Sequence, residues 1–214
     1  MVWQGFSGRL KEVLGLEGSP VAVSYSMGPL GRGKEGRHWV CGALLDARDG
    51  ATVNLSAENS ACRGGTWHLG LGPRPSGEAY RALQKFLVEG EKICGTITAF
   101  NRMQALTTAP PLGLADFVVF SPLERAELRP DLVVFLCNPE QACRLLTLAT
   151  FPDGLPPRVE LLGSTCHMVV AYPIVSGELN VSLMDYTSRK HRPYRKEELF
   201  VSIPYHKMGG LMES

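Results

Sequence analysis

The sequence predicts an α/β or mixed α+β fold in a single domain, 1–214, whose one sheet is shared by two related halves. Three observations carry this. Apolar stretches with strand character alternate with helical periodicity along the whole chain. The 214 residues are 44% hydrophobic and 20% charged, enough to bury a core and too apolar for disorder. A pattern also recurs. Asp49-Gly50 and Asp153-Gly154 are each followed, after eleven residues, by a cysteine in the setting Ser-x-Cys: Ser60-Ala61-Cys62 and Ser164-Thr165-Cys166. Before each stands a strand-like stretch, then a Leu/Ala helix opened by Cys41 or Cys143. A strand–helix–strand–cysteine unit used twice would make Cys62 and Cys166 equivalent, with pseudo-repeat halves 20–108 and 114–205.

The elements follow in order. Trp3, Phe6, Leu10 and Leu14 recur at helical spacing, so a helix is expected over Gln4–Leu14. Gly-Ser-Pro then leads to a strand, Val21–Ser26, and to a Gly/basic loop, Gly28–Gly36. After the Cys41 helix a strand is expected near Thr52–Leu55, and Tyr80, Leu83, Phe86 and Leu87 mark one face of a later helix. The Pro/Gly-rich stretch Ala109–Gly113 reads as a hinge or loop. Strands are expected at Phe117–Ser121 and Leu132–Cys137. Asn138-Pro139-Glu140 supplies an N-cap, a proline at N1 and an early acidic residue. A further strand is expected at Arg158–Leu162, a helix from Ser164 to Tyr172 ending before Pro173, a strand at Leu179–Met184 and a short helix at Lys196–Ile203. The basic run Arg189–Arg192 reads as a solvated turn.

Net charge is +1, which gives no general pull toward nucleic acid or acidic membranes. No stretch reaches the ~18 apolar residues of a membrane span. The expected setting is the cytoplasm, with a small molecule or redox protein as partner and homo-oligomerisation left open. The glycine loop Gly28–Gly36 lacks the G-K-[ST] ending of a phosphate-binding P-loop.

Six scattered cysteines do not resemble a secreted disulfide scaffold, which leaves core packing, reactive thiols or metal ligation. Cys166 is expected in the first turn of a helix, where unpaired N–H groups favour thiolate. Gly64-Gly65 argues for a loop of exposed N–H groups after Cys62, with Arg63, Gly64, Gly65 and His68 as candidate ligand-binding residues. There is no C-x₂-C pair and no paired histidine spacing for structural zinc. Dispersed cysteines converging on an iron–sulfur cluster fit better: Cys62 and Cys166, Cys41 third, Cys143 or Cys137 fourth. A redox-active thiol pair, a His68/His167-assisted thiol enzyme, and a small-molecule binding or regulatory module with its cysteines in the core are the alternatives.

Pro130-Asp131-Leu132-Val133-Val134, Asn138-Pro139-Glu140-Gln141-Ala142, Ser164-x-Cys166 and Val201-Ser202-Ile203-Pro204-Tyr205 occur in an order that resembles a bacterial and archaeal family catalogued as domain of unknown function 169. The similarity runs from about Pro20 to Tyr205. It implies a soluble single domain without an established activity. It also implies that Cys41, Cys62 and Cys166 belong to the family pattern, whereas Cys94, Cys137 and Cys143 are particular to this chain. Three such cysteines suggest a cluster with one open iron, or a thiol site.

Overall fold

The computed structural model describes residues 2–152, 154–161 and 163–213. Its centre is a six-stranded antiparallel sheet in the order β2-β3-β1-β4-β6-β5. The strands are β1 (Val21–Ser26), β2 (Val53–Leu55), β3 (Phe117–Pro122), β4 (Leu132–Cys137), β5 (Asn180–Ser182) and β6 (Leu199–Pro204). The architecture is mixed α+β in one domain.

This order is palindromic. Exchanging β1 with β4, β2 with β5 and β3 with β6 reverses it, and the register obeys the same exchange. Ala22 pairs with Val133 at the centre, flanked by Val21↔Val134 and Val23↔Leu132. Val21↔Pro122 on one side corresponds to Leu132↔Pro204 on the other. After each of those prolines the chain turns in a short 3₁₀ helix, Leu123–Arg125 or Tyr205–Lys207. The turn is fixed by matching bonds: Leu123 N–H to the Pro20 carbonyl at 2.8 Å, and Tyr205 N–H to the Asp131 carbonyl at 3.0 Å.

Alternation along each strand separates two cores. One face buries Val21, Val23, Val53, Leu55, Val118, Phe120, Val134 and Phe200 beneath α2 (Val40–Arg48), α3 (Arg63–His68) and a helix over 165–176. The other buries Ala22, Val133, Phe135, Cys137, Val201 and Ile203 beneath α1 (Val2–Leu14), α6 (Pro139–Thr150) and α9 (Gly209–Glu213). Asn138 caps α6 as expected, in a two-way box with Gln141 at 2.9 Å in each direction.

Several expectations are corrected. Residues 158–161 carry no ladder, and Leu162 and Asp153 lie outside the described residues. The Asn180 side chain holds that segment instead. It accepts from the Glu160 N–H at 2.7 Å and donates to the Glu160 carbonyl at 3.0 Å, imitating a strand pairing with one side chain. The helix after Ser164 does not stop before Pro173. A π-helical turn, His167–Ala171, precedes α7 (Tyr172–Ser176), and the wider turn lets the chain pass a residue without an N–H. Lys196–Ile203 is not a helix: Leu199–Pro204 is β6, and the expected solvated turn at Arg189–Arg192 is mostly the end of α8 (Tyr186–His191). There the basic residues complement the C-terminal dipole. Gly64-Gly65 lies within α3 rather than in a loop.

Between α3 and β3 stands a helical insert: α4 (Gly77–Lys85), a π turn Phe86–Gly90, and α5 (Ile97–Leu106). The Tyr80/Leu83/Phe86/Leu87 face exists, but α4 buries no residue fully. Ala109–Gly113 is irregular.

Candidate functional site

The helices on the first face begin near one another, and their starts carry the three cysteines. Cys41 lies in the first turn of α2, after an N-cap Trp39 that makes no side-chain capping bond. Cys62 is itself the N-cap of α3, its sulfur accepting from the Gly65 N–H at 3.4 Å. A Cβ on Gly65 would come within 3.0 Å of Val40 Cγ2, so glycine there is what lets α3 start against α2. Cys166 lies in the first turn of the 165–176 helix, with Ser164 Oγ at 3.0 Å from its sulfur.

The pairing of positions differs from the sequence expectation. Cys41 and Cys166 each open the helix that leads into an edge strand, α2 into β2 and 165–176 into β5. Cys62 instead corresponds to Asp185. Each is the N-cap of the six-residue helix that follows an edge strand, and each side chain accepts from the backbone N–H three residues on, Gly65 or Ser188. Chain order hid this, because α6 is inserted in the second half and the 77–106 helices in the first.

All six cysteines are free thiols. Cys166 feels the charge of both Cys62 and Cys41, which places thiols from three distant segments in one electrostatic neighbourhood. Burial, then Cys62, push its pKa well above the ordinary thiol value, against the help of the Ser164 hydroxyl. This corrects the expected thiolate: a helix start favours the anion, but desolvation and neighbouring negative groups outweigh it. Burial also raises Cys41, while Arg192 and the Ser188 hydroxyl pull it back. The Arg192 guanidinium lies 4.4 Å from the Trp39 ring centroid, and Tyr194 Oη donates to the Cys41 carbonyl at 2.6 Å.

Asp185 ties the site together. Oδ2 accepts from Thr165 N–H (2.6 Å), Thr165 Oγ1 (2.7 Å) and Ser188 Oγ (2.9 Å), and Oδ1 accepts from Ser188 N–H (2.7 Å). Sequence reading missed Asp185, Ser188, Arg192 and Tyr194. The signal was an Asp-x-x-Ser cap at 185–188, obscured by reading the basic run after it as a turn.

The other expected positions lie elsewhere or do other work. Cys137 is buried in the opposite face, its pKa raised by burial to about 12, and Cys143 is exposed on α6. Neither can join the three thiols. Cys94 is in the helical insert, its sulfur 3.9 Å from that of Met103. Arg63 is exposed, Gly64 half-buried and Gly65 buried. His68 does not reach a cysteine. Its ring packs 5.3 Å from that of His167, and the two share the Thr108 peptide: His68 Nδ1 faces the carbonyl at 3.2 Å, and Thr108 N–H donates to His167 Nε2 at 3.1 Å. These partners assign Nδ1–H to His68 and an acceptor Nε2 to His167. Burial, with His167 alongside, lowers the His68 pKa to about 3. Among the described residues no three His, Cys, Asp or Glu side chains stand ready to hold a single metal ion, and no helix is long and apolar enough to cross a membrane.

The sequence profile of a family described as Uncharacterised ArCR, DUF169, matches residues 9–214. The chain belongs to this family. The DUF169 chain is also similar to an uncharacterised protein, MJ0308, of Methanocaldococcus jannaschii, at 25% identity over 189 residues covering 85% of this chain and 76% of that one. No solved structure matches it.

Proposed function

We propose that this DUF169 protein carries an iron–sulfur cluster on Cys41, Cys62 and Cys166, one iron being left for a small ligand or a redox role. The supporting observation is that thiols at three helix starts lie close enough for both Cys62 and Cys41 to disfavour an anion at Cys166. Desolvation holds the protons on Cys41 and Cys166, and the nearby thiols disfavour an anion at Cys166 further. Cationic iron would replace those protons and remove the repulsion. A cubane holds its thiolates further apart than one ion does, so ligands not gathered for a mononuclear site are compatible with it. Helix N-termini and Arg192 would offset the cluster's negative charge.

A second reading is a redox dithiol. Among the cysteines, Cys62 acts more strongly on Cys166 than Cys41 does. Joining them as a disulfide would release two protons and two electrons to an oxidised dithiol partner.

Anaerobic reconstitution with ferrous iron and sulfide, followed by iron and sulfide assay and visible absorbance, tests the first reading. Wild type and Cys143→Ala should load, and Cys41→Ala, Cys62→Ala and Cys166→Ala should each lose most of the cluster. A wild-type protein that stays colourless would overturn it. The dithiol reading predicts instead a Cys62–Cys166 crosslink by mass spectrometry that Cys41→Ala leaves intact.

A further inference from the structure

We infer that Asp185 is the positioning residue of the thiol centre, a carboxylate standing where the sheet's pseudo-twofold places the counterpart of Cys62. The inference rests on the cluster reading and extends it to a residue outside the cysteine set. A plain N-cap needs a single bond, here the one from Ser188 N–H at 2.7 Å. Asp185 accepts three more, two of them from Thr165, twenty residues earlier, and its own N–H donates back to Thr165 Oγ1 at 3.0 Å. These bonds join the first turn of α8 to the first turn of the 165–176 helix.

Thr165 immediately precedes Cys166, and Ser188 lies beside Cys41. Asp185 therefore fixes how far the Cys41 side of the centre stands from the Cys166 side. Only an acceptor-only carboxylate can take four such bonds. The sulfur of Cys62 at the corresponding place is given one backbone donor. The exchange of thiol for carboxylate leaves three sulfurs and one fixed negative charge around the centre, and that charge must disfavour added electrons.

The test compares Asp185→Asn, Asp185→Ala and Ser188→Ala in reconstituted protein, by iron and sulfide content and by redox titration of the cluster. Asp185→Asn keeps the outline but loses the charge and one acceptor oxygen, so it should load less than wild type, though more than Asp185→Ala, and titrate at a more positive potential. Asp185→Ala should load several-fold less. Ser188→Ala, which loosens the cap, keeps the charge and removes a hydroxyl donor beside Cys41, should move the potential the other way, to more negative values, separating charge from helix stability. The inference is overturned if Asp185→Asn titrates with wild type while Asp185→Ala loads normally. If wild type itself takes up no cluster, the cluster reading fails and this inference falls with it.

Discussion

The two halves of the sheet build the same frame and finish it with different chemistry. In each, a helix with a cysteine in its first turn leads into a short edge strand, a six-residue helix follows, and a strand ending in proline closes the unit. In each half an edge-strand asparagine also clamps the loop that precedes the cysteine helix, although the two asparagines stand one residue out of register, on opposite faces of the sheet. Asn54 on β2 accepts from the Leu30 N–H at 2.9 Å and donates to its carbonyl at 3.0 Å, as Asn180 on β5 does with Glu160. The differences are local. The short helix is capped by a thiol in the first half and a carboxylate in the second, and it ends in His68, which is buried, or His191, which faces Glu91 at 3.2 Å. Strand register fixes the frame, while cap residues, which the frame tolerates in several kinds, decide what the site can do.

The strongest way to break the resemblance is acid. His68 titrates at 6.5 when unfolded and at about 3 when folded. Because the folded value is depressed, the unfolded chain takes up its proton first. This group's destabilising effect is thus absent above pH 6.5 and grows as pH falls toward 3, reaching roughly 5 kcal/mol. Urea denaturation between pH 7 and 4 should show this slope, and His68→Gln should flatten it. An equal slope in both proteins would place the acid sensitivity elsewhere.

The asparagine clamps offer a sharper comparison. Asn180 is buried and makes a third bond, to the Met168 carbonyl at 2.7 Å, whereas Asn54 is half-buried and makes the two clamp bonds. Asn180→Ala should cost about 3 kcal/mol and Asn54→Ala about 1–2, measured by denaturant midpoint at constant slope. Equal costs would mean that the edges are held by something other than these side chains.

Two glycines before the cysteine helices give a smaller contrast. Gly163 (φ +108°) has His167 Nδ1 2.9 Å from where a Cβ would stand, and Gly36 (φ +104°) has open space there. Gly36→Ala should cost only its backbone strain, about 1 kcal/mol, and Gly163→Ala about 2 kcal/mol. Thermal denaturation would rank them, and the reverse order would contradict the crowding at His167.

What sequence reasoning read well had local causes. β1, β4 and α6 are set by β-branched runs and by Asn138-Pro139, signals contained within a few residues. It failed where a distant partner decides. Leu199–Pro204 has helix-compatible residues before it, yet pairs with β4. Arg158–Leu162 has strand composition, but the Asn180 side chain occupies the place a ladder would take. Cys62 and Cys166, with Cys41 third, were singled out from the residues themselves, and the family resemblance removed Cys137 and Cys143 from the set. That Asp185 belongs beside them was not legible, because hydrogen bonds between residues twenty apart leave no periodic trace.

The amino-acid order by itself determined the class of fold, most strand and helix positions, and which three thiols to compare, since hydrophobic period and capping are short-range properties. Tertiary structure alone decided which cysteines are counterparts and whether a helix start yields a thiolate. Both depend on strand register and desolvation, which exist only once the sheet has closed over its core.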